Sequence, residues 1–395
     1  MDIKNRSVLV LGGGGLVGAA VCRKLIDERP KRVIVTSIVR KEADDAVAVL
    51  RSEFPGLPKR FFASWGGNIF VRHTLKDIRR DQIVEEPAMR RMFIDDTLGE
   101  LNEEAIKRSA IYRLLHAHKP DIIIDCINSA TAIAYQDIFG SARTVLQGLR
   151  RGRKTDPRVL REDTEKLLCT LYTPQLIRHV QLLYRAMHAS GTKIYVKIGT
   201  SGTGGMGLNI PYTHSEEKPS SVLLGKSAVA GAHTMLLFLM GRTPDAPITK
   251  EVKPTAAIAW KRVAFGEIRK RGKAIALVDC PPSRAVNLRG TLKRRLEKPA
   301  KALNSNLQSV FIDTGENGLF SRGEFEAIAA PGQMEFVTPE EIAEAVVYEI
   351  KGGNTGHDII NALDNATLSP TYRAGYLFQS ALKHIDALEK LHDVD

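Results

Sequence analysis

A chain of 395 residues, 43% hydrophobic and 26% charged, can bury a large core and is neither disordered nor fibrous. Its four cysteines, Cys22, Cys126, Cys169 and Cys280, lie far apart with no CxxC pair, so they read as buried thiols rather than a disulfide framework or a metal site. The formal charge of +12 gathers in Arg150-Arg151-Gly152-Arg153-Lys154, Arg269-Lys270-Arg271 and Lys293-Arg294-Arg295. No aromatics interleave with these clusters, which argues against nucleic acid. Solvated faces, an anionic small molecule or peripheral contact with lipid headgroups are the readings that remain.

Met1 to Arg6 is polar and leads straight into an apolar run, so no signal peptide is expected and the protein is placed in the cytoplasm. Ser7-Val-Leu-Val-Leu11 has the continuous apolarity of a strand buried on both faces of a parallel sheet. After the glycines that follow, Leu16, Val17, Val21, Leu25 and Ile26 recur at helical spacing, and Arg32 to Thr36 supplies a second strand, completing a β-α-β unit. Ser52 to Arg91, with Phe61, Phe62, Trp65, Ile69, Phe70 and Val71, reads as an insertion packed on the sheet. Asp121 to Asp125 and Lys193 to Ile198 are later strands. Between them Ala134 to Thr173 forms helices beside the expected cofactor cleft.

The most apolar helix, Ala228 to Met240, is interrupted by His233 and Thr234 and is too short to cross a bilayer. Past Thr249 the alternation fades until a helix signal in which Thr338 is the N-cap, Pro339 fits the first turn, and Glu340 and Glu341 suit the positive end of the dipole. The expected architecture is α/β. A Rossmann-type doubly wound parallel sheet occupies residues 1–248, with insertions near 52–91 and 134–173, and a smaller α+β lobe occupies 249–395.

Gly12-Gly-Gly-Gly-Leu16-Val17-Gly18 follows a strand and opens a helix, the context in which a glycine turn binds a dinucleotide. Glycine lets the backbone approach the pyrophosphate, the helix N-terminus offers N–H groups to it, and Gly18 lets helix and strand pack closely. Gly12, Gly15, Leu16, Val17 and Gly18 are therefore the expected phosphate-binding residues. A carboxylate after the second strand would select NAD, but Thr36-Ser37-Ile38-Val39-Arg40-Lys41 contains none. Ser37, Arg40 and Lys41 suit a 2′-phosphate, so NADP(H) is expected ahead of NAD(H).

The spacing Gly12-x-x-Gly15-x-x-Gly18, the strand end Asp125-Cys-Ile-Asn-Ser-Ala130 and Ile198-Gly-Thr-Ser201 resemble the extended short-chain dehydrogenase/reductase superfamily over residues 5–240. Ile210 to Pro219 with Gly225-Lys-Ser227 is similar to its sugar-nucleotide epimerase and dehydratase branch. The resemblance implies that Asn128, Ser129 and Ala130 border the cofactor. It also implies that Met92 to Asp96 is a third strand presenting Asp95 or Asp96 to the adenine. By the same resemblance Ser201, with Thr200 as runner-up, orients the substrate, and Lys226 holds the ribose.

The family's Tyr-x-x-x-Lys pair is missing, because Val222 or Leu224 stands where the tyrosine would be. Hydride transfer to a carbonyl needs a matched proton donor, and Tyr212 and His214 on the loop upstream are the candidates. The glycine-rich loop with Thr200, Ser201, Gly202 and Thr203 offers N–H groups to an anionic substrate. The helices 173–190, with Leu176, Val180 and Leu183, and 226–241, with Leu236, Leu237 and Met240, would by the resemblance pair subunits into a homodimer.

The expected function is an NADP(H)-dependent oxidoreductase, epimerase or dehydratase acting on a nucleotide-, phosphate- or coenzyme A-linked anion. A lyase or isomerase with transiently used NAD(P), and an inactive NADP-sensing or scaffold protein, are the alternatives.

Overall fold

The computed structural model describes residues 1–134, 136–199, 221–252, 262–267, 269–270, 273–279, 301–313, 319–321, 338–356 and 369–393. The chain divides into two compact units, one of residues 1–205, 220–257 and 337–395, the other of 206–219 and 258–336.

In the first unit, β1 (Ser7–Leu11), α1 (Leu16–Asp27), β2 (Arg32–Ser37), α2 (Arg40–Glu53) and β3 (Phe62–Gly66) form successive β-α-β turns. Then come α3 (Arg80–Glu85), α4 (Pro87–Leu98), α5 (Glu103–Arg108), α6 (Ala110–His118) and β4 (Ile122–Asp125). The helices α7 (Ser129–Ala134), α8 (Ile138–Arg151), α9 (Pro157–Cys169) and α10 (Tyr172–Ser190) precede β5 (Ile194–Ile198). The unit closes with α11 (Ser221–Gly241), β6 (Ile248–Val252), α12 (Pro339–Ile350) and α13 (Ser369–His392).

The six strands are parallel in the order β3-β2-β1-β4-β5-β6, the doubly wound arrangement expected from the sequence. Alternate residues serve the two faces. Val8, Val10, Val33, Val35, Ile122, Ile124, Ile194 and Val196 pack with α1, α2 and α12, whereas Leu9, Leu11, Ile34, Ile123 and Tyr195 pack with α6, α10 and α11. Because crossover helices cover both faces, the strands read as apolar runs rather than as alternation.

Four expectations change. The stretch read as an insertion, 52–91, contains β3, a true edge strand of the sheet. The segment 92–96 is helical, part of α4: Glu86 accepts a hydrogen bond from the Ala88 N–H, and Pro87 takes the first helical position. The capping box of Thr338 and Glu341 forms as its residues imply, but α12 belongs to the first unit, where Ile342, Val346 and Ile350 cover α1 and the sheet, rather than to a separate lobe. Finally, Val180, Leu183, Leu237 and Met240 are buried against the sheet, Leu176 is buried between α7 and α11, and Leu236 is partly buried, all within this chain's own clusters. Among the described residues, the exposed large apolar side chains of α10 and α11 are Ile177, Met235, Phe238 and Leu239.

The helical stretch 134–173 forms as expected and packs on α4. Arg90, 2% exposed, donates from Nε to Glu165 at 3.0 Å and from Nη1 to the carbonyl oxygens of Val84 and Glu85.

The described strands of the second unit are antiparallel. Residues 308–313 lie between 262–267 and 319–321, residues 276–279 pair with 301–306, and 269–270 pair with 273–274. Among the described residues no helix is long and apolar enough to cross a membrane.

Candidate dinucleotide site

The strand order reverses between β1 and β4, and in open α/β sheets ligands bind beyond the carboxyl ends of the strands at such a point. The glycine turn stands there. Gly12 has φ +72°, a conformation L side chains rarely adopt, and its N–H donates to Thr36 Oγ1 at 3.2 Å. A Cβ on Gly13 would come within 2.8 Å of Val35 Cγ1, and one on Gly18 within 2.3 Å of the Gly12 carbonyl oxygen. Glycine at both positions is thus a packing requirement of the turn itself.

Gly15 is the N-cap of α1 and has no side chain to cap it, and the first turn holds no acidic residue. The N–H groups of Leu16, Val17 and Gly18 are the opening donors that a helix leaves outside its own ladder. Leu16 is 63% exposed and Val17 half-buried, so the helix end meets solvent. An uncapped, acid-free helix end above a glycine cradle fits a pyrophosphate.

At the end of β2, the Ser37 hydroxyl donates to Glu42 Oε2 at 2.5 Å. Glu42 lies one residue past the acid-free stretch and brings a carboxylate to the place where one usually meets the adenosine ribose. Arg40, at the start of α2, donates from Nε to Asp44 at 3.1 Å and from Nη2 to Ser64 at 3.3 Å, while Lys41 is exposed.

Asp95 and Asp96 do not share this edge by a third strand. Asp95 is exposed on α4, and Asp96 accepts from Arg72 Nε at 2.6 Å and Arg108 Nε at 2.7 Å. The strand end next to β2 is instead Gly66, followed by Gly67, whose N–H donates to the Ser37 carbonyl, and Asn68. This edge strand leaves little trace in the sequence, because Phe-Ala-Ser-Trp-Gly carries no apolar run.

Beyond β4, the loop 126–129 faces the turn. A Cβ on Gly12 would lie 3.3 Å from Cys126 C and Ile127 N, and the Cys126 N–H donates to the Leu11 carbonyl. Asn128 is half-buried and Ser129 is buried at the start of α7; the Ala130 side chain lies outside the described residues.

A buried charged group underlies this loop. Asp125 and Lys197 are register partners on β4 and β5, at 1% and 2% exposure, with Nζ 3.0 Å from Oδ1. The Tyr195 hydroxyl donates to Asp125 Oδ2 at 2.7 Å, the Ile127 N–H donates to Oδ1 at 2.9 Å, and Lys197 Nζ also donates to the Ile127 carbonyl oxygen. Burial pushes the Asp125 carboxyl up, but the Lys197 charge, the Tyr195 hydroxyl and the Ile127 N–H outweigh it and hold it below the ordinary carboxylate range. Burial, then the Asp125 charge, pushes the Tyr195 phenol well above its ordinary value, in keeping with a hydroxyl that donates to Asp125. Burial likewise raises the Cys126 thiol, and it raises Cys22 to about 12 and Cys169 to about 11, as inert thiols require. Cys280 lies outside the described residues.

Thr200, Ser201, Gly202, Thr203, Tyr212 and His214 lie outside the described residues as well. Lys226 falls on α11, its side chain outside the description.

Residues 277–395 match a family model, the beta-methylindole-3-pyruvate reductase C-terminal domain. A comparison with curated proteins returns no match. Among solved structures, the chain is similar to a short chain dehydrogenase/reductase family protein at 14% identity, covering 88% of this chain and 90% of that one with a TM-score of 0.37. It is also similar to the Bordetella bronchiseptica enzyme WbmH in complex with NAD+, at 9% identity, 88% and 72% coverage and a TM-score of 0.37. Against Pen from Bacillus thuringiensis the identity is 14% and the TM-score 0.30, with 64% of this chain and 52% of that one covered, so the chain spans about half of that relative. At such TM-scores these likenesses carry no argument about activity. The matched family describes the C-terminal part of the chain, and the nucleotide site rests on its own geometry.

Proposed function

We propose that the chain is an NAD(P)-dependent reductase of an anionic carbonyl compound. The observation that carries this reading is the uncapped N-terminus of α1 over a glycine turn at the switch point of the sheet. Gly12, Gly15 and the N–H groups of Leu16, Val17 and Gly18 would hold the pyrophosphate, and Asn128 and Ser129 would border the cofactor past β4. A bound nicotinamide would supply the hydride. The +12 charge and the reductase name of the family matched by residues 277–395 support an anionic substrate, a 2-oxo acid first and a nucleotide-, phosphate- or coenzyme A-linked carbonyl next. Oxidation of reduced cofactor, followed by its absorbance with phenylpyruvate, indole-3-pyruvate and a 4-keto sugar nucleotide, tests this. Turnover with one of them is expected; cofactor that binds and is oxidised by none would favour the sensing or scaffold reading.

NADP(H) is the proposed cofactor over NAD(H), with Ser37, Arg40 and Lys41 at the 2′-phosphate. Arg40 would have to leave Asp44 to reach it, and Glu42 would oppose it. Arg40→Ala with Lys41→Ala is expected to weaken NADP(H) by about tenfold or more, roughly 1.4 kcal/mol, with NAD(H) unchanged, and Glu42→Gln to strengthen NADP(H). Calorimetric titration reads both, and equal NAD(H) and NADP(H) affinities in the wild type would end the preference.

For the chemistry, Ser201 orients the substrate oxygen, Lys226 holds the ribose, and Tyr212 or His214 gives the proton. Ser201→Ala and Lys226→Ala are expected to lose roughly 1 to 4 kcal/mol of transition-state stabilisation. Of Tyr212→Phe and His214→Ala, only the donor's variant should fall comparably. Wild-type turnover in both Ser201→Ala and Lys226→Ala would remove the assignment. A homodimer through the exposed Ile177, Met235, Phe238 and Leu239 belongs to the same proposal.

A further inference from the structure

A cavity of about 30 Å³ lies among the segment after β3, α4, α5, α7 and α10, lined by Phe70, Phe93, Ala105, Arg178 and His179 with Asp96 at its wall. It is roughly large enough for two waters or one small ion. Among the described residues, three buried polar atoms here have no hydrogen-bond partner: Arg178 Nη1 and both ring nitrogens of His179, a residue only 3% exposed.

The rest of Arg178 is anchored. Its Nε donates to the Thr97 carbonyl at 3.4 Å and its Nη2 to the Gly99 carbonyl, which leaves Nη1 fixed at the wall. The His179 ring is set against Phe70, with centroids 4.4 Å apart. Orphaned guanidinium N–H groups are costly in a protein interior, and a native structure normally gives each one a partner.

Charge decides which partner. Asp96 is already shared by Arg72 and Arg108, and Glu104 meets Arg108 Nη1 at 3.4 Å, so the three arginines still outnumber the two carboxylates by one charge. Water would satisfy the N–H groups and leave that excess in place, whereas an anion satisfies both.

We propose that this cavity binds a small monovalent anion, of chloride to formate size, held by Arg178 Nη1 and an N–H of His179. The site is separate from the glycine turn and stands whether or not the reductase reading does.

The test is the chloride-35 NMR linewidth of sodium chloride titrated into the full chain at neutral pH and constant ionic strength. The expected result is a saturable broadening that formate displaces and the much larger gluconate does not. Arg178→Gln should abolish it. Should that variant fail to fold, Ala105→Leu fills the cavity while keeping every charge, and it should abolish the broadening too, with the fold checked by circular dichroism. No saturable component in the wild type would overturn the proposal and leave water in the cavity, and so would an undiminished component in folded Ala105→Leu.

Discussion

Gly18→Ala is expected to destabilise the first unit by about 3 kcal/mol, because its methyl group would stand 2.3 Å from the Gly12 carbonyl oxygen and 2.6 Å from Gly13 Cα. Both neighbours are backbone and cannot swing aside as a side chain would. Gly15→Val should behave differently. Gly15 has φ −79°, open to any residue, and a Cβ there meets only the Gly12 carbonyl oxygen, at 3.3 Å. The Gly15 variant should therefore lose only about 1 kcal/mol of stability, the cost of valine at an N-cap, and lose roughly a hundredfold in dinucleotide affinity, about 2.7 kcal/mol, because its side chain occupies the pyrophosphate's place. Thermal unfolding and calorimetry of the two variants separate the cases. A Gly18→Ala protein as stable as wild type would refute the close approach of helix and turn.

The second large effect concerns the ion pair beneath the loop 126–129. Lys197→Met leaves the Asp125 carboxylate buried with only the Tyr195 hydroxyl and the Ile127 N–H to meet it. Removing one partner of a buried pair typically costs about 3–5 kcal/mol, most of it from the charge left behind. Asp125→Asn combined with Lys197→Met removes both charges and should regain most of that loss. The Asp125 carboxyl also pins the loop through Ile127, and the loop abuts Gly12, so dinucleotide affinity should fall with stability in the single variant and recover in the double. Urea unfolding of both variants checks the cycle; a single variant within about 1 kcal/mol of wild type would mean that the pair is not desolvated as its burial implies.

Much of this was legible in the sequence. The runs 7–11, 32–36, 121–125 and 193–198 became the four central strands because strands covered on both faces must be apolar throughout. Thr338, Pro339 and Glu341 announced their helix because capping is local chemistry. Where that helix packs is not local, and it returned to α1.

The differences have separate causes. Met92-Phe-Ile is short enough to be strand or helix, and the Glu86 cap with buried Arg90 settles it as helix. Phe62 to Gly66 lacked an apolar run because an edge strand is covered less completely, and its central three residues are only half-buried. Glu42 lies inside α2 rather than at the end of β2, and only its hydrogen bond from Ser37 brings it back to the strand end. The Asp125–Lys197 pair left a usable trace, since each of two strands read as buried carries one charge near its end, and opposite charges in neighbouring buried strands must meet.

A reductase of this kind requires that the turn from Gly12 to Gly18 bind a dinucleotide. Isothermal titration of the full-length wild-type chain with NADPH and then NADH, repeated with Gly15→Val, measures it directly. One saturable site per chain is expected, tighter for NADPH and lost in the folded variant; no binding of either nucleotide, or equal binding by Gly15→Val, would contradict it.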